Sequence, residues 1–215
     1  MTADRSHNGE SSIVAKLLGD LAVPFVVDVG ASDGLSWSNS AMFIDHGWQA
    51  LLIEPVQFAF DRLSAAHGAN PRAILVKAAC SDHDGEGVIH VASDMLKMAS
   101  SLTPFSQFDS ITFEGQETVP LFRLSTLLAR HNVPAAFGLL TVDAEQHDLE
   151  VLQGLDFAKH RPMTIIVEEN TSSAQIRALL VSLGYEHFEL VAGENNVYFD
   201  ATNAALFARA RKLAA

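Results

Sequence analysis

The residues best placed to do chemistry lie where two predicted strands end. The segment VVDVGASDG, residues 26–34, is a β-branched apolar run followed by a glycine-containing turn, and the run LLIEP, residues 51–55, carries Glu54, 20 residues after Gly34. Glycines after a strand let the backbone approach a ligand, and a carboxylate at the tip of the next strand accepts hydrogen bonds from ribose hydroxyls. The spacing therefore predicts a nucleoside cofactor at Gly30, Gly34 and Glu54.

The side chains of this turn discriminate between cofactors. The dinucleotide fingerprint G-x-G-x-x-G would need glycine where Ser32 and Leu35 stand, so NAD is disfavoured. Asp28 and Asp33 repel phosphate but suit a cationic ligand. S-adenosylmethionine carries a sulfonium and an ammonium group, and simple electrostatics favours it over NAD or ATP.

Residues 30–34 also match G-x-S-x-G, the nucleophile elbow of serine hydrolases. In that fold the oxyanion-hole loop follows an upstream strand, yet the residues before position 25 are polar or helix-like. Asp and His residues that complete a triad are easily found in a chain with 9 histidines. The hydrolase interpretation is therefore disfavoured.

Length, charge and cysteine content narrow the class of protein. The 215 residues, 48% of them hydrophobic, fit a single domain over 1–215 with residues 1–9 frayed. A formal net charge of −12 argues against a nucleic-acid partner. Cys80 is the sole cysteine, and the sequence shows no signal peptide and no apolar run of 18 residues. We expect a cytoplasmic protein with no membrane partner, and a homo-oligomer is left open.

Periodicity predicts strands that alternate with helices, which indicates a parallel sheet. Strands are predicted at 25–29, 50–54, 73–79, 138–143 and 163–168. Helices are predicted at about 13–21, 36–46, 56–67, 124–131, 147–155 and 172–183, the first capped by Ser11 and Ser12 and the last by Thr171 or Ser172. Strands 185–191 and 196–199 form an antiparallel hairpin through the turn 193–196. The runs 87–92 and 118–122 could pair beneath the aperiodic segment 93–116, which suits a lid or substrate loop.

These motifs together resemble the FkbM-type methyltransferases. The resemblance rests on VVDVGASDG, LLIEP, LLTVDAEQHDLEVLQG and RPMTIIVEEN, and it spans roughly residues 25–200. It implies an α/β, Rossmann-like class I methyltransferase fold, with a mostly parallel seven-stranded sheet, an antiparallel C-terminal hairpin and helices on both faces. It also implies S-adenosylmethionine as cofactor and O-methylation of a hydroxylated small molecule, such as a sugar or secondary metabolite.

The resemblance implies roles for six cofactor-binding residues. The methionine portion of S-adenosylmethionine would lie over Gly30, Ala31 and Gly34, and Asp28 would orient that portion. Glu54 would hold the ribose. Asp82 would accept a hydrogen bond from the adenine amino group. The family pattern has Asn where Ser32 stands and Gly where Gln146 follows Glu145. The second departure keeps a catalytically degenerate cofactor-binding domain open, beside a NAD-type oxidoreductase.

The catalytic candidates follow the fourth predicted strand. Asp143 ends that strand, and Glu145 and His147 lie on the turn that opens the next helix. Methyl transfer to an alcohol needs the acceptor held in line and its proton removed. His147 is the first choice of base, because an unperturbed imidazole titrates near pH 6.5.

A divalent ion is a further hypothesis. Glu168, Glu169 and Asn170 end the neighbouring strand, so several carboxylates would gather with Asp143 and Glu145 at one edge. Oxygen ligands of this kind suit magnesium or calcium. Because the whole chain is acidic, we assign no metal ligand.

Overall fold

The structure, a computed structural model, describes residues 3–103, 112–168, 171–188 and 195–215. Its strands are β1 Phe25–Val29, β2 Gln49–Ile53, β3 Ala73–Val76, β4 Ala79–Ser81, β5 Gly85–Ala92, β6 Phe113–Arg123, β7 Ala136–Val142, β8 Arg161–Glu168, β9 Tyr185–His187 and β10 Asn195–Asp200. Its α-helices are α1 Glu10–Leu18, α2 Ala41–Asp45, α3 Gln57–His67, α4 Leu124–Arg130, α5 Asp148–Gln153, α6 Ser173–Ser182 and α7 Ala204–Leu213.

Seven strands form the main sheet, in the order β3-β2-β1-β7-β8-β10-β9. The first five strands in this order are parallel, and β10 is antiparallel to both β8 and β9. The chain moves outward from β1 to β3 and then returns to place β7 beside β1. Ligands bind at such a switch point, outside the carboxyl ends of the strands. The predicted Rossmann-like sheet and its antiparallel hairpin are confirmed.

Helices cover both faces of the main sheet, as predicted. All five residues of β1 are buried, which is typical of a parallel strand covered on both sides. Apolar side chains of α4, α5 and α6 pack on one face, and those of α1, α2, α3 and α7 pack on the other. The carboxyl edge between β1 and β7 is thereby held on a packed core.

A second sheet stands beside the first, in the order β4-β6-β5. The predicted strand 73–79 ends at Val76, and the chain then leaves the main sheet to form β4. The predicted pairing of 87–92 with 118–122 is confirmed, because β5 is antiparallel to β6. The segment predicted as a loop over 93–116 is shorter, since β6 begins at Phe113; its residues 104–111 lie outside the described part of the chain.

The helix predicted at 36–46 is wrong over its first five residues. Trp37 has a φ of +49°, which a right-handed helix does not allow. The Ser38 hydroxyl accepts hydrogen bonds from the backbone N–H groups of Ser40 and Ala41, and so it starts the helix at Ala41.

The first helix begins earlier than predicted, so Ser11 and Ser12 lie inside it. Its start is supported from outside, because an Asp4 carboxylate oxygen accepts from the Ser12 N–H at 2.7 Å. The same side chain accepts from the Ser6 N–H at 2.9 Å. Residues 3–9, for which we predicted fraying, therefore hold α1 through Asp4.

The C-terminal part contains one element that was not predicted, α7. The Asn203 side chain caps it by accepting from the N–H groups of Ala205 and Leu206. Ser172, one of the two predicted caps, is the residue before α6. The predicted hairpin is confirmed in β9 and β10; its turn residues Gly193 and Glu194 lie outside the described residues.

Candidate active site

Gly30 is required by the close approach of β1 and β7. Its φ is +84°, and a Cβ atom there would lie 1.8 Å from the carbonyl oxygen of Asp143. The N–H groups of Gly30 and Ala31 both donate to the Ile53 carbonyl at 3.0 Å. The turn after β1 is thus fastened to the ends of β2 and β7.

Gly34 closes the same turn but packs away from the edge. Its φ is +71°, and a Cβ atom would lie 2.6 Å from Leu63 Cδ1. Its carbonyl lies 3.0 Å from His67 Nε2. Gly34 therefore allows the turn to pack against α3.

Glu54 follows β2 and is buried beneath the turn. One carboxylate oxygen accepts from the Ser32 N–H at 2.9 Å, and the other accepts from the Val56 N–H at 2.8 Å. Burial raises the pKa of Glu54 to about 7, against the lowering effect of these two donors. Each carboxylate oxygen keeps a lone pair for a second donor, such as a ribose hydroxyl.

Asp28 lies within β1, one position before its end, and it supports the loop that leads to α2. Its carboxylate accepts from the Ser40 hydroxyl at 2.5 Å. Burial, together with the nearby charge of Asp143, raises the pKa of Asp28 to about 7. The side chain therefore holds the loop before α2 through Ser40.

The turn after β7 brings the catalytic candidates together. The Asp143 N–H donates to the Val29 carbonyl at 3.0 Å, and the Ala144 N–H donates to an Asp148 carboxylate oxygen at 2.8 Å. Glu145 and Gln146 both have left-handed backbones, with φ values of +49° and +73°. Such a conformation favours glycine.

Gln146 therefore keeps the backbone geometry that a glycine would adopt at that position. Its side-chain oxygen accepts from the Thr171 hydroxyl at 2.7 Å. This hydrogen bond ties the turn to the start of α6 and offsets part of the cost of the left-handed backbone. The departure from the glycine of the family pattern leaves the turn intact.

Glu145 is partly buried among other carboxylates. Burial is the main cause that raises its pKa to about 9, and the charges of Asp143, Glu168, Asp148 and Asp94 add to the rise. Glu145 is therefore protonated at neutral pH and can donate a hydrogen bond.

His147 is the residue before α5 and contacts the second sheet. Its Nε2 lies 2.9 Å from the Ser81 hydroxyl, and its Nδ1 lies 3.7 Å from a Glu150 carboxylate oxygen. Burial lowers the pKa of His147, so the neutral imidazole predominates at pH 7. Asp82 lies beyond Ser81, and His83 Nδ1 lies 2.6 Å from its Oδ1.

One pocket at the carboxyl edge collects most of these groups. Five of the nine predicted site residues line it: Gly30, Glu54, Asp143, Glu145 and His147. The other four, which are Asp28, Ala31, Gly34 and Asp82, are not among the lining residues. The apolar wall comes from residues such as Ile53, Val56, Ala79, Cys80 and Ile89.

The segment 94–102 closes this pocket. Lys97, Met98, Ser100 and Leu102 line it, and the free volume between the walls is about 70 Å³. Pockets that hold drug-sized ligands measure about 300–1,000 Å³. Lys97 is held by an ion pair with Glu114 at 2.6 Å, and the Ser101 hydroxyl donates to the Glu145 carbonyl at 2.6 Å. The free volume is therefore smaller than a cofactor-sized ligand occupies.

Two features that the sequence interpretation missed line the pocket. The first is the side chain of Ser32, which is 9% exposed and whose hydroxyl has no hydrogen-bond partner among the described residues. A buried, unpaired hydroxyl is costly unless a ligand satisfies it. The signal was available, because Ser32 stands in the glycine turn itself. The second is Lys97, which lies within the predicted lid or substrate loop 93–116 but was not named as a site residue.

The pocket suits S-adenosylmethionine in its donors and acceptors. The Ser32 hydroxyl can donate or accept, and Glu54 can accept from a diol. The acidic side chain of Asp143 lines the same pocket and suits a cationic ligand. For a metal the fit is poor: within the described ranges, no group of three or more His, Cys, Asp or Glu side chains is placed to hold an ion. Glu169 and Asn170 lie outside those ranges.

The strand order defines a Rossmann-like protein, and the pocket lies at the β1–β7 switch point of its sheet. A family model described as the methyltransferase FkbM domain matches residues 28–187. The chain belongs to this family of S-adenosylmethionine-dependent methyltransferases. A comparison with curated proteins finds no match.

Three solved structures are similar to this chain at low sequence identity. An FkbM methyltransferase from Methylobacillus flagellatus KT matches with 14% identity and a TM-score of 0.55, covering 82% of this chain and 43% of that chain. The METTL16 methyltransferase domain matches with 12% identity and a TM-score of 0.49, covering 88% of this chain and 65% of that chain. M. capricolum TrmK, in complex with S-adenosyl-homocysteine, matches with 14% identity and a TM-score of 0.43, covering 88% of this chain and 66% of that chain. The chain thus spans less than half the length of the FkbM methyltransferase structure.

Among the described residues, no helix is both long enough and apolar enough to cross a membrane.

Proposed function

We propose that this chain transfers a methyl group from S-adenosylmethionine to a hydroxyl of a small molecule, such as a sugar or secondary metabolite. The observation that carries the proposal is that Glu54, on the cofactor side, and Asp143, Glu145 and His147, on the catalytic turn, line one pocket. An arrangement of this kind can hold a nucleoside, a hydroxylated acceptor and a base within reach of one another.

The cofactor, when bound, supplies an electrophilic methyl group on a sulfonium. Glu54 would accept hydrogen bonds from the ribose hydroxyls while its other lone pairs hold the turn. Gly30 and the Ser32 hydroxyl would face the methionine portion, with Asp28, Ala31 and Gly34 fixing the turn around it. We retain Asp82 only as a residue near the adenine end, because it follows the pocket-lining residues Ala79 and Cys80 in sequence.

The catalytic turn would handle the acceptor. Glu145, which is protonated at neutral pH because its pKa is raised to about 9, would donate a hydrogen bond that orients an acceptor oxygen. His147, kept neutral because burial lowers its pKa, would take the hydroxyl proton. Asp143 would place a carboxylate beside the cationic reaction centre.

A small acceptor fits the surface charge of the chain better than a nucleic acid does. The formal net charge of −12 offers little basic surface for a phosphate backbone.

The test is a methyl-transfer assay with labelled S-adenosylmethionine and a panel of sugars and polyketide-like alcohols, followed by mass spectrometry of the products. We expect a methyl ether on at least one hydroxylated acceptor. Asp143→Asn should lose at least roughly 100-fold in kcat while it still binds S-adenosylhomocysteine. Methylation of RNA or of an amine by the wild-type protein, with no methyl ether formed, would contradict the proposal.

A further inference from the structure

The described residues hold a hydrogen-bonded chain, Asp82–Ser81–His147, that joins the second sheet to the catalytic turn. Ser81 Oγ lies 3.2 Å from Asp82 Oδ1 and 2.9 Å from His147 Nε2. Ser81 is 1% exposed. Its position is fixed by close packing, since a Cβ atom on Gly154, at the end of α5, would lie 2.1 Å from the Ser81 carbonyl oxygen.

The hydrogen-bonded chain Asp82–Ser81–His147 determines which atom donates in each of its two hydrogen bonds. The Ser81 hydroxyl has one proton, and an ionised carboxylate can only accept. Asp82 is half-exposed, and the hydrogen bond from His83 holds its pKa below the usual range, so it is a carboxylate at neutral pH. Both contacts of Ser81 are therefore satisfied only when Ser81 donates to Asp82 and accepts from an Nε2–H group of His147.

We infer that Ser81 is a positioning residue that holds His147 in its Nε2–H tautomer and leaves Nδ1 as the nitrogen that accepts the acceptor's proton. This inference rests on the proposed function for the role of that proton, whereas the tautomer itself does not. As the acceptor oxygen takes the methyl group, its O–H bond breaks and the proton joins Nδ1. The electron pair of the broken carbon–sulfur bond stays on sulfur, which becomes neutral.

The surroundings of Nδ1 favour the imidazolium that this step forms. The Glu150 carboxylate lies 3.7 Å from Nδ1, and its Oε2 is buried with no hydrogen-bond partner among the described residues. In the neutral ring the closer contact, 2.9 Å between Ser81 Oγ and Nε2, holds the single proton on Nε2, so the Glu150 oxygen gains a charged partner only when the imidazolium forms. The other charged groups that act on His147 are Asp82, which favours the imidazolium, and His83, which opposes it.

The tautomer can be read directly from the two-bond proton–nitrogen couplings of ¹⁵N-labelled histidine rings, without an acceptor or a cofactor. The His147 signals are assigned by their loss in His147→Asn. We expect the Nε2–H pattern for neutral His147 in the wild-type protein. An Nδ1–H pattern would overturn the inference.

Two variants of the exposed residue Asp82 test whether the Ser81–Asp82 hydrogen bond sets the tautomer of His147, without changing the core. In Asp82→Ala the Ser81 hydroxyl loses its acceptor and can donate to Nε2, so we expect the ring to shift toward the Nδ1–H tautomer. Asp82→Asn keeps an acceptor oxygen and should retain the Nε2–H tautomer. An unchanged tautomer in Asp82→Ala would overturn the inference.

Ser81→Ala and Ser81→Thr then separate positioning from structure. We expect Ser81→Ala to give a mixture of tautomers and to lower kcat on the order of tenfold, with little change in the KM for S-adenosylmethionine. Ser81→Thr keeps the hydroxyl and should restore the Nε2–H tautomer and the wild-type kcat. A wild-type protein that binds no S-adenosylhomocysteine would overturn the proposed function, and this is a separate measurement from the tautomer.

Discussion

The carbonyl oxygen of Asp143 lies 1.8 Å from the place that a Cβ atom on Gly30 would occupy. The turn after β1 and the turn after β7 are therefore packed directly on each other. Because the contact involves backbone on both sides, no side-chain rearrangement can relieve it. Glu54 and Glu145 line the same pocket as Gly30 and Asp143, which form this junction.

Gly30→Ala should destabilise the fold. The new methyl group collides with the Asp143 backbone, and the φ of +84° adds the cost of a left-handed conformation, so we expect a loss of at least about 2 kcal/mol in the free energy of unfolding. Urea unfolding measures it. Gly115→Ala is the matched control, because a Cβ atom there meets nothing within 4 Å. Equal effects of the two substitutions would contradict the account of the junction.

Position 146 should tolerate glycine but reject a β-branched residue. Gln146→Gly relieves the left-handed backbone at φ +73° but loses the hydrogen bond from Thr171, and we expect these to offset to within about 0.5 kcal/mol. Gln146→Val has neither advantage and should cost about 1–2 kcal/mol. Guanidinium unfolding of both variants checks this. A valine variant as stable as the glycine variant would show that the turn is not constrained.

The stability of the protein should fall as the pH rises, in part through Glu145. Its pKa is about 9 in the folded protein against 4.5 in the unfolded chain, so the folded state holds the proton between these values and unfolding releases it. The free energy of unfolding therefore decreases with pH across this window. Asp28 and Glu54 act in the same direction, in a window that ends near pH 7.

Glu145→Gln isolates the contribution of Glu145. We expect the difference in Tm between this variant and the wild-type protein to move steadily in favour of the variant from pH 5.5 to 8.5, as measured by scanning calorimetry. A difference that stays constant over that range would mean that Glu145 is ionised in the folded protein.

The sheet was predictable because its central strands are apolar runs that end in glycine or acidic residues. The run before Asp28 and the run before Asp143 each predicted a buried strand, and both lie at the centre of the sheet. The helix at 36–46 was overestimated, because the local hydrogen bonds that the Ser38 hydroxyl accepts and the left-handed backbone of Trp37 override an apolar pattern. The helix α7 was missed although Asn203 supplies an ordinary cap for it.

The site was predictable where a residue follows a strand directly. Glu54 and Asp143 are such residues, and both line the pocket. The position of Lys97 in the pocket wall was not predictable, because it depends on how the aperiodic segment after β5 folds over the carboxyl edge of the sheet. The partners of His147 were not predictable either, since Ser81 lies 66 residues away in sequence and meets it only through the packing of β4 on α5.

The most direct test of the central claim is isothermal titration of the wild-type protein with S-adenosylhomocysteine and, in parallel, with NAD. We expect saturable binding of S-adenosylhomocysteine alone. At about pH 8, where Glu54 is ionised because the pH exceeds its pKa of about 7, Glu54→Ala should weaken it by about 1.5–3 kcal/mol, because the ribose hydroxyls lose a charged acceptor. Glu86→Ala, which removes an exposed carboxylate from β5, should leave it unchanged. Binding of NAD with no heat from S-adenosylhomocysteine, or an affinity unaffected by Glu54→Ala, would contradict the account.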